Sequence, residues 1–273
     1  MQKLDNRYLE TAFSYLSPEP EFNLFFIGDL ETYGMEHDCV SCYTDDDWKT
    51  DTVFPYFILN YRGNVLIYSR DEDYDAKKVA QYLNEMDPDN ISGKDNIVAK
   101  LVPYLKGRKC KPTYLAKMNQ VGEKEKNQYS SLMKQVQRLT ENDILAAYDL
   151  YLTIDEFAYT YRRKRKEECL EDIRQNICVN GRAYGIFEGD VLAAIVQTSA
   201  ENKRSAMVVG VAVRPEMRGK GYAKAVMLKL CQDCLEKMEF SCLFYDNSRA
   251  GRIYHSIGFK DMGMYTMIRK AEA

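Results

Sequence analysis

From Met207 to Ala223 the chain reads MVVGVAVRPEMRGKGYA. The apolar β-like run stops at Pro215, since proline brings no N–H to a ladder. Arg218, Gly219, Lys220, Gly221, Tyr222 and Ala223 follow, and behind them comes a long amphipathic helical pattern. A strand that passes into a helix through glycines leaves several backbone N–H groups exposed at the positive end of the helix dipole. Such a turn binds anions, phosphate above all. Glycines at 219 and 221 let the backbone approach a pyrophosphate without a Cβ in the way. Ala223 keeps the first helical turn narrow, and Arg218 can add a charge-assisted bond. Gly210, inside the apolar run, weakens that strand and predicts a bulge.

Three kinds of glycine turn compete for this role. A P-loop needs GxxxxGK followed by Ser or Thr, because the lysine and hydroxyl serve the terminal phosphates and magnesium. Gly219-Lys220-Gly221 has no such frame. A dinucleotide fold needs GxGxxG after its opening strand and an acid after the next one. Gly219, Gly221 and Asp246 fit, but the third position is Lys224 and a hairpin pattern precedes the strand. The third frame, Arg/Gln-x-x-Gly-x-Gly/Ala, is met at every position from Arg218 to Ala223.

Preceded by Val211-Ala-Val213-Arg-Pro215, that third frame resembles the acyl-CoA motif of the GNAT acyltransferase superfamily. Downstream, Asn247-Ser-Arg-Ala250-Gly-Arg-Ile-Tyr254-His-Ser-Ile-Gly258-Phe259 is similar to the family's N-x-x-A-x-x-x-Y-x-x-x-G-F pattern. The motifs cover about residues 207–259, and the order of strands and helices carries the resemblance to roughly 133–273. It implies a mixed α/β fold and acetyl-CoA as co-substrate. Val211 and Val213 would offer a free strand edge to the pantetheine arm. Arg218 to Ala223 would hold the pyrophosphate, and Asn247, with Ala250 in the same motif, would serve the pantetheine side. Tyr254 would lie beside the CoA sulfur and protonate it.

Acyl transfer from a thioester to an amine needs an unprotonated amine, a polarised carbonyl and a leaving thiolate. A thiol with a pKa near ~8.5 already leaves fairly well, so the acid has modest work to do. A backbone N–H near Val211 would polarise the carbonyl. The base must reach the acceptor amine directly or through one water. Glu156 and Glu201 are both candidates and the sequence does not choose between them. His255 follows Tyr254 and points about 100° away from it on a helix, and His37 lies in the other half.

The elements that must position these residues are legible in order. In the second half we expect a β-like run at 132–139, a helix at 144–159 behind a Thr140 to Asp143 cap signal, and a charged helix at 161–178. Strands follow at 182–187, 191–198 and 207–213, then a helix at 222–238, a strand at 240–245, a helix at 248–257 and a strand at 262–268. In the first half we expect helices at 4–17 and 22–33, a hairpin within 53–68, helices at 75–86 and 95–105, and a strand at 113–118. The polar segment NQVGEKEKNQ (119–128) suggests a boundary, giving domains 1–125 and 126–273. The first half resembles the degenerate GNAT-like domain of two-domain members. Where a phosphate loop should follow its hairpin it carries Ser69-Arg70-Asp71-Glu72-Asp73, which would repel phosphate.

The totals exclude several classes. The chain has 273 residues, 45% hydrophobic and 29% charged, with a formal net charge of -3. A packed core is expected, and there is no charge excess to draw nucleic acid or an anionic membrane. With no apolar run of about 20 residues and early acids, the expected location is cytoplasmic. Cys39/Cys42 and Cys231/Cys234 have zinc-like spacing, but the second pair sits on the apolar stripe from Ala223 to Met238, where cysteine acts as a small hydrophobe. No metal is expected there, nor at the loop-like Asp45-Asp46-Asp47. The basic run Arg162 to Lys166 is blunted by Glu167 and Glu168 and reads as a solvated helix face. The expected activity is transfer of an acetyl group from acetyl-CoA to an amine acceptor, with a non-catalytic acyl-CoA-binding sensor or scaffold as the alternative and an oligomer left open.

Overall fold

The computed structural model describes residues 1–49, 53–179 and 181–271. The chain forms two compact units: Met1–Leu115 with Asp261–Ala273, and Ala116–Lys260. The division therefore falls ten residues before the expected boundary, and the last strand joins the first unit.

The first unit contains β1 (Gln2–Leu4), α1 (Leu9–Leu16), α2 (Leu24–Tyr33), β2 (Val40–Thr44), β3 (Phe57–Tyr61), β4 (Asn64–Tyr68), α3 (Ala76–Met86), β5 (Asn90–Lys94) and α4 (Asp95–Val98). Strand β6 (Arg108–Met118) then carries the chain across the division. Arg62 and Gly63, with φ of 49° and 85°, supply the left-handed pair that lets a two-residue turn match strand twist between β3 and β4. Strands β4 and β5 are parallel, with α3 as crossover, while β1 to β4 pair antiparallel. The polar content of β2 and β5 hid both strands from the sequence pattern: VSCYT and NISGK alternate weakly.

The second unit continues with α5 (Glu123–Met133), β7 (Gln137–Arg138), α6 (Ile144–Tyr151), α7 (Asp155–Tyr161), α8 (Lys166–Arg174), β8 (Ala183–Glu188), β9 (Val191–Ser199), β10 (Ser205–Val213), α9 (Tyr222–Leu235), β11 (Phe240–Tyr245) and α10 (Ser248–Ser256). The final strand β12 (Lys260–Lys270) pairs antiparallel with β5 of the first unit. Within the second unit the strand order is β11-β10-β9-β8-β7. Strands β10 and β11 pair parallel and are joined by α9, while β9 pairs antiparallel with β10 and with β8, and β7 with β8. The sheet is mixed, as expected.

Two layers cover this sheet. On one face α9 buries Ala225, Val226, Leu230, Cys231 and Cys234 against Val196, Ala206 and Val208. Its cysteines therefore lie on the packed stripe. On the other face Ala147, Leu150 and Tyr151 of α6 and Ile173 of α8 pack with Leu192 and Ile195. Two expectations change here. Residues 132–139 are mostly not strand: Tyr129, Leu132, Met133 and Val136 have helical spacing, and α5 runs to Met133. The helix expected at 144–159 breaks at Leu152–Ile154, where Thr153 turns back to bond the Leu150 carbonyl at 2.7 Å and Ile154 is extended.

Candidate functional site

Strand β10 sets the geometry. Its ladder to β9 slips between Val209 and Ala212, with Gly210 at φ 64°. A Cβ at Gly210 would lie 2.9 Å from the Tyr151 hydroxyl and 3.0 Å from the Gln197 amide, so space and backbone both require glycine. The bulge turns β10 away from β11. Their parallel register runs Ser205↔Phe240, Ala206↔Ser241 and Met207↔Cys242 and stops there among the described residues. From Val208 to Val213 the backbone edge facing β11 is left without a ladder. The split opens a cavity of about 840 Å³.

The mouth of the split is the start of α9. Gly219 and Gly221 both sit at φ 85°, and Gly221 caps the helix without any side-chain bond. The first N–H groups of a helix have no internal partners, so here they are left for an anion. Added methyls would have different consequences at the two glycines. At Gly219 there is open space, whereas at Gly221 a Cβ would meet the Tyr129 ring at 3.0 Å and Leu132 at 3.3 Å. The corresponding helix start in the first unit is closed. Asp75 caps α3 by accepting from the Lys78 N–H at 2.9 Å, and the loop before it is tied down as Arg70 bonds the Tyr15 carbonyl at 2.8 Å. A carboxylate already occupies the place an anion would take.

The cavity gathers nearly all of the expected residues: Val211, Val213, Arg218, Gly219, Gly221, Tyr222, Ala223, Asn247, Ala250 and Tyr254 line it. Lys220 does not. Its ammonium pairs with Glu188 at 2.6 Å, and the Tyr222 hydroxyl donates to the same carboxylate. Those bonds hold Glu188 below the usual carboxylate range, Lys220 first. Asn247 caps α10 by accepting from the Arg249 N–H at 2.8 Å. Tyr254, in the last turn of α10, has its ring edge-on to Tyr245 at 5.8 Å and to Phe259 at 6.3 Å. Burial pushes its hydroxyl above the ordinary phenol value, so it holds its proton at neutral pH. His255 faces elsewhere, with Nε2 3.2 Å from the Tyr245 hydroxyl.

The two carboxylates left open by the sequence now separate. Glu156, exposed in the first turn of α7, lines the cavity. Glu201 is not among its lining residues and is clamped by Arg182 through bonds of 2.8 and 2.7 Å. Burial alone would raise its pKa, but the Arg182 and Thr198 hydrogen bonds outweigh that and hold it low. A carboxylate so held is a poor base. The wall also contains Tyr129, Phe157 and Met217, which the sequence reading missed. Tyr129 lay next to the polar segment read as a linker, and its only signal was its helical spacing to Leu132 and Met133. The basic run is used up locally: Lys164 pairs with Asp172 at 2.7 Å, Arg165 bonds Glu168 at 2.7 Å, and Arg163 lies over Tyr159 at 5.0 Å.

A mixed sheet whose two parallel strands part over a glycine-capped helix is the acyl-CoA N-acyltransferase type of α/β fold. Residues 145–259 match the model of the acetyltransferase (GNAT) family. Solved structures extend the likeness of fold along nearly the whole chain. A Drosophila protein is 12% identical with a TM-score of 0.61, covering 98% of this chain and 97% of that one. A GCN5-related N-acetyltransferase-like protein from Streptococcus suis 89/1591 is 13% identical with a TM-score of 0.58, over 96% and 98%. A tandem GNAT protein from the clavulanic acid biosynthesis pathway is 11% identical with a TM-score of 0.53, over 99% and 98%. These likenesses show the fold shared along the length of the chain. Comparison with curated proteins found no match. Among the described residues no helix is long and apolar enough to cross a membrane.

Proposed function

We propose that the second unit transfers an acetyl group from acetyl-CoA to an amine of a small molecule or an exposed amino group. The observation that carries this reading is the split between β10 and β11, around which lie an unladdered strand edge, a glycine-capped helix start and a half-buried tyrosine lining one cavity. The pyrophosphate would bind at the N–H groups following Gly219 and Gly221, with Arg218 beside it. The pantetheine arm would pair along Val211 to Val213. An N–H of the bulged segment would polarise the thioester carbonyl, where hydrogen bonds aimed at developing charge act most strongly. As the amine attacks, the C–S bond breaks and Tyr254 gives its proton to the departing sulfur. Glu156, directly or through one water, takes the proton of the amine. The first unit, its helix start closed by Asp75, binds no CoA.

Thiol release from acetyl-CoA, followed across a panel of primary amines, tests the proposal. Amine-dependent release supports transfer. Tight acetyl-CoA binding with no release for any amine would instead favour a sensor or scaffold.

A further inference from the structure

A second polar cavity, of about 440 Å³, lies entirely within the first unit. The acetyl-transfer reading makes no use of it. Cys39 and His37 both line it, with the Sγ 3.0 Å from Nδ1 of the imidazole. The same Nδ1 accepts the Cys39 backbone N–H at 3.3 Å. A ring nitrogen that accepts from an N–H carries its lone pair on that side. The neutral ring then keeps its proton on Nε2, and the thiol donates to Nδ1.

The surroundings hold this pair in place. The Val40 N–H bonds the His37 carbonyl at 2.8 Å, closing a tight turn around the two residues. The Arg62 N–H bonds the Cys39 carbonyl at 3.1 Å, and the His37 ring rests against Tyr33 at 5.1 Å. The Asn6 N–H bonds Glu36 at 3.3 Å. The charged residues lining the cavity are Lys3 and Arg62 against Glu36 and Asp38, and neither sign dominates. Cys39 itself is partly exposed. Cys110 and Cys178 are more exposed, and the other five cysteines are buried.

We propose that Cys39 and His37 form a reactive thiol–imidazole pair, and that Cys39 is a modification site for small soft electrophiles and small disulfides entering this cavity. A thiol becomes a nucleophile as its proton leaves, and an adjacent imidazole receives that proton. With an alkyl halide the Sγ–C bond forms, the carbon–halogen bond breaks, and the halide departs with the electron pair. With a disulfide a new S–S bond forms as the old one breaks. The Cys39 sulfur is oxidised and the leaving sulfur is reduced, departing as a thiolate. In both cases the thiol proton ends on His37.

The test is a short iodoacetamide pulse at pH 7 on the full-length protein, read cysteine by cysteine by peptide mass spectrometry. Cys110 and Cys178 are the internal controls. Cys39 should be alkylated about tenfold faster than either, although both are more exposed. His37→Phe keeps the ring against Tyr33 and removes the base. His37→Asn keeps an acceptor for the Cys39 N–H and also removes the base, so it carries the comparison if the first variant does not fold. Each should bring Cys39 down to the rate of the controls. A wild-type Cys39 no faster than Cys110 and Cys178 would overturn the proposal, as would an unchanged Cys39 rate in His37→Asn.

Discussion

At the scale of single residues, Tyr254 and Gly210 carry the most. Tyr254 is placed at the cavity with its hydroxyl raised by burial, and proton transfer to a leaving group contributes about 10²-fold or more in rate. The tyrosine ring also packs, so phenylalanine preserves the cavity while removing the proton. Tyr254→Phe should therefore lower turnover by about 100-fold or more, with acetyl-CoA affinity nearly unchanged by calorimetry; equal turnover would remove Tyr254 from the mechanism. Gly210 was readable as a bulge because a glycine inside an apolar run has few other uses. Its tight fit against Tyr151 and Gln197 was not readable, since those contacts come from other elements. Gly210→Val should melt earlier and bind acetyl-CoA at least about tenfold more weakly, because left-handed backbone and a blocked Cβ cost on the order of 1–3 kcal/mol. Lys220 shows the opposite limit. Its place in the glycine frame suggested a phosphate contact, and only the fold brings Glu188 near enough to claim its charge.

Among elements, the strand–turn–helix from β10 to α9 was the most legible, because apolar strand, proline stop and glycine turn each act locally. The short strands β2 and β5 were not, since they owe their existence to partners on both sides rather than to their own pattern. Helix α2 holds a further consequence. Asp29 on it is half-buried, and burial pushes its carboxyl up to about 7. A carboxyl held above its unfolded value of about 3.9 keeps its proton longer in the folded chain than in the unfolded one. The folded state then binds more protons at this site between about pH 4 and 7, so the contribution of Asp29 to stability is most favourable below about pH 4, falls across that window and is level above it. Asp29→Asn should raise the melting temperature by roughly 4–8 °C at pH 8 and by little at pH 4. A gain of the same size at both pH values would contradict the assignment.

In the whole molecule, the two units were half visible in advance. A hairpin followed by a helix was legible in each half, but the return of the last strand to the first unit was not. A polar segment such as 119–128 marks solvent exposure, and exposure does not separate a linker from the first turn of α5. Strand β12 pairs with β5 from Tyr265↔Lys94 to Arg269↔Asn90 and buries Tyr265 and Ile268. A chain ending at residue 260 should therefore lose protection from proteolysis across residues 1–115 while peptides of 116–260 stay protected; equal protection in both units would contradict that division. The open start of α9 and the closed start of α3 together call for one acyl-CoA site per chain. Calorimetric titration with acetyl-CoA, on the wild type and on Gly221→Val, tests it most directly. The account predicts one binding site per chain, lost in the variant because its side chain would strain a φ of 85° and strike Tyr129. No binding to the wild type, two sites per chain, or undiminished binding to a folded Gly221→Val would contradict it.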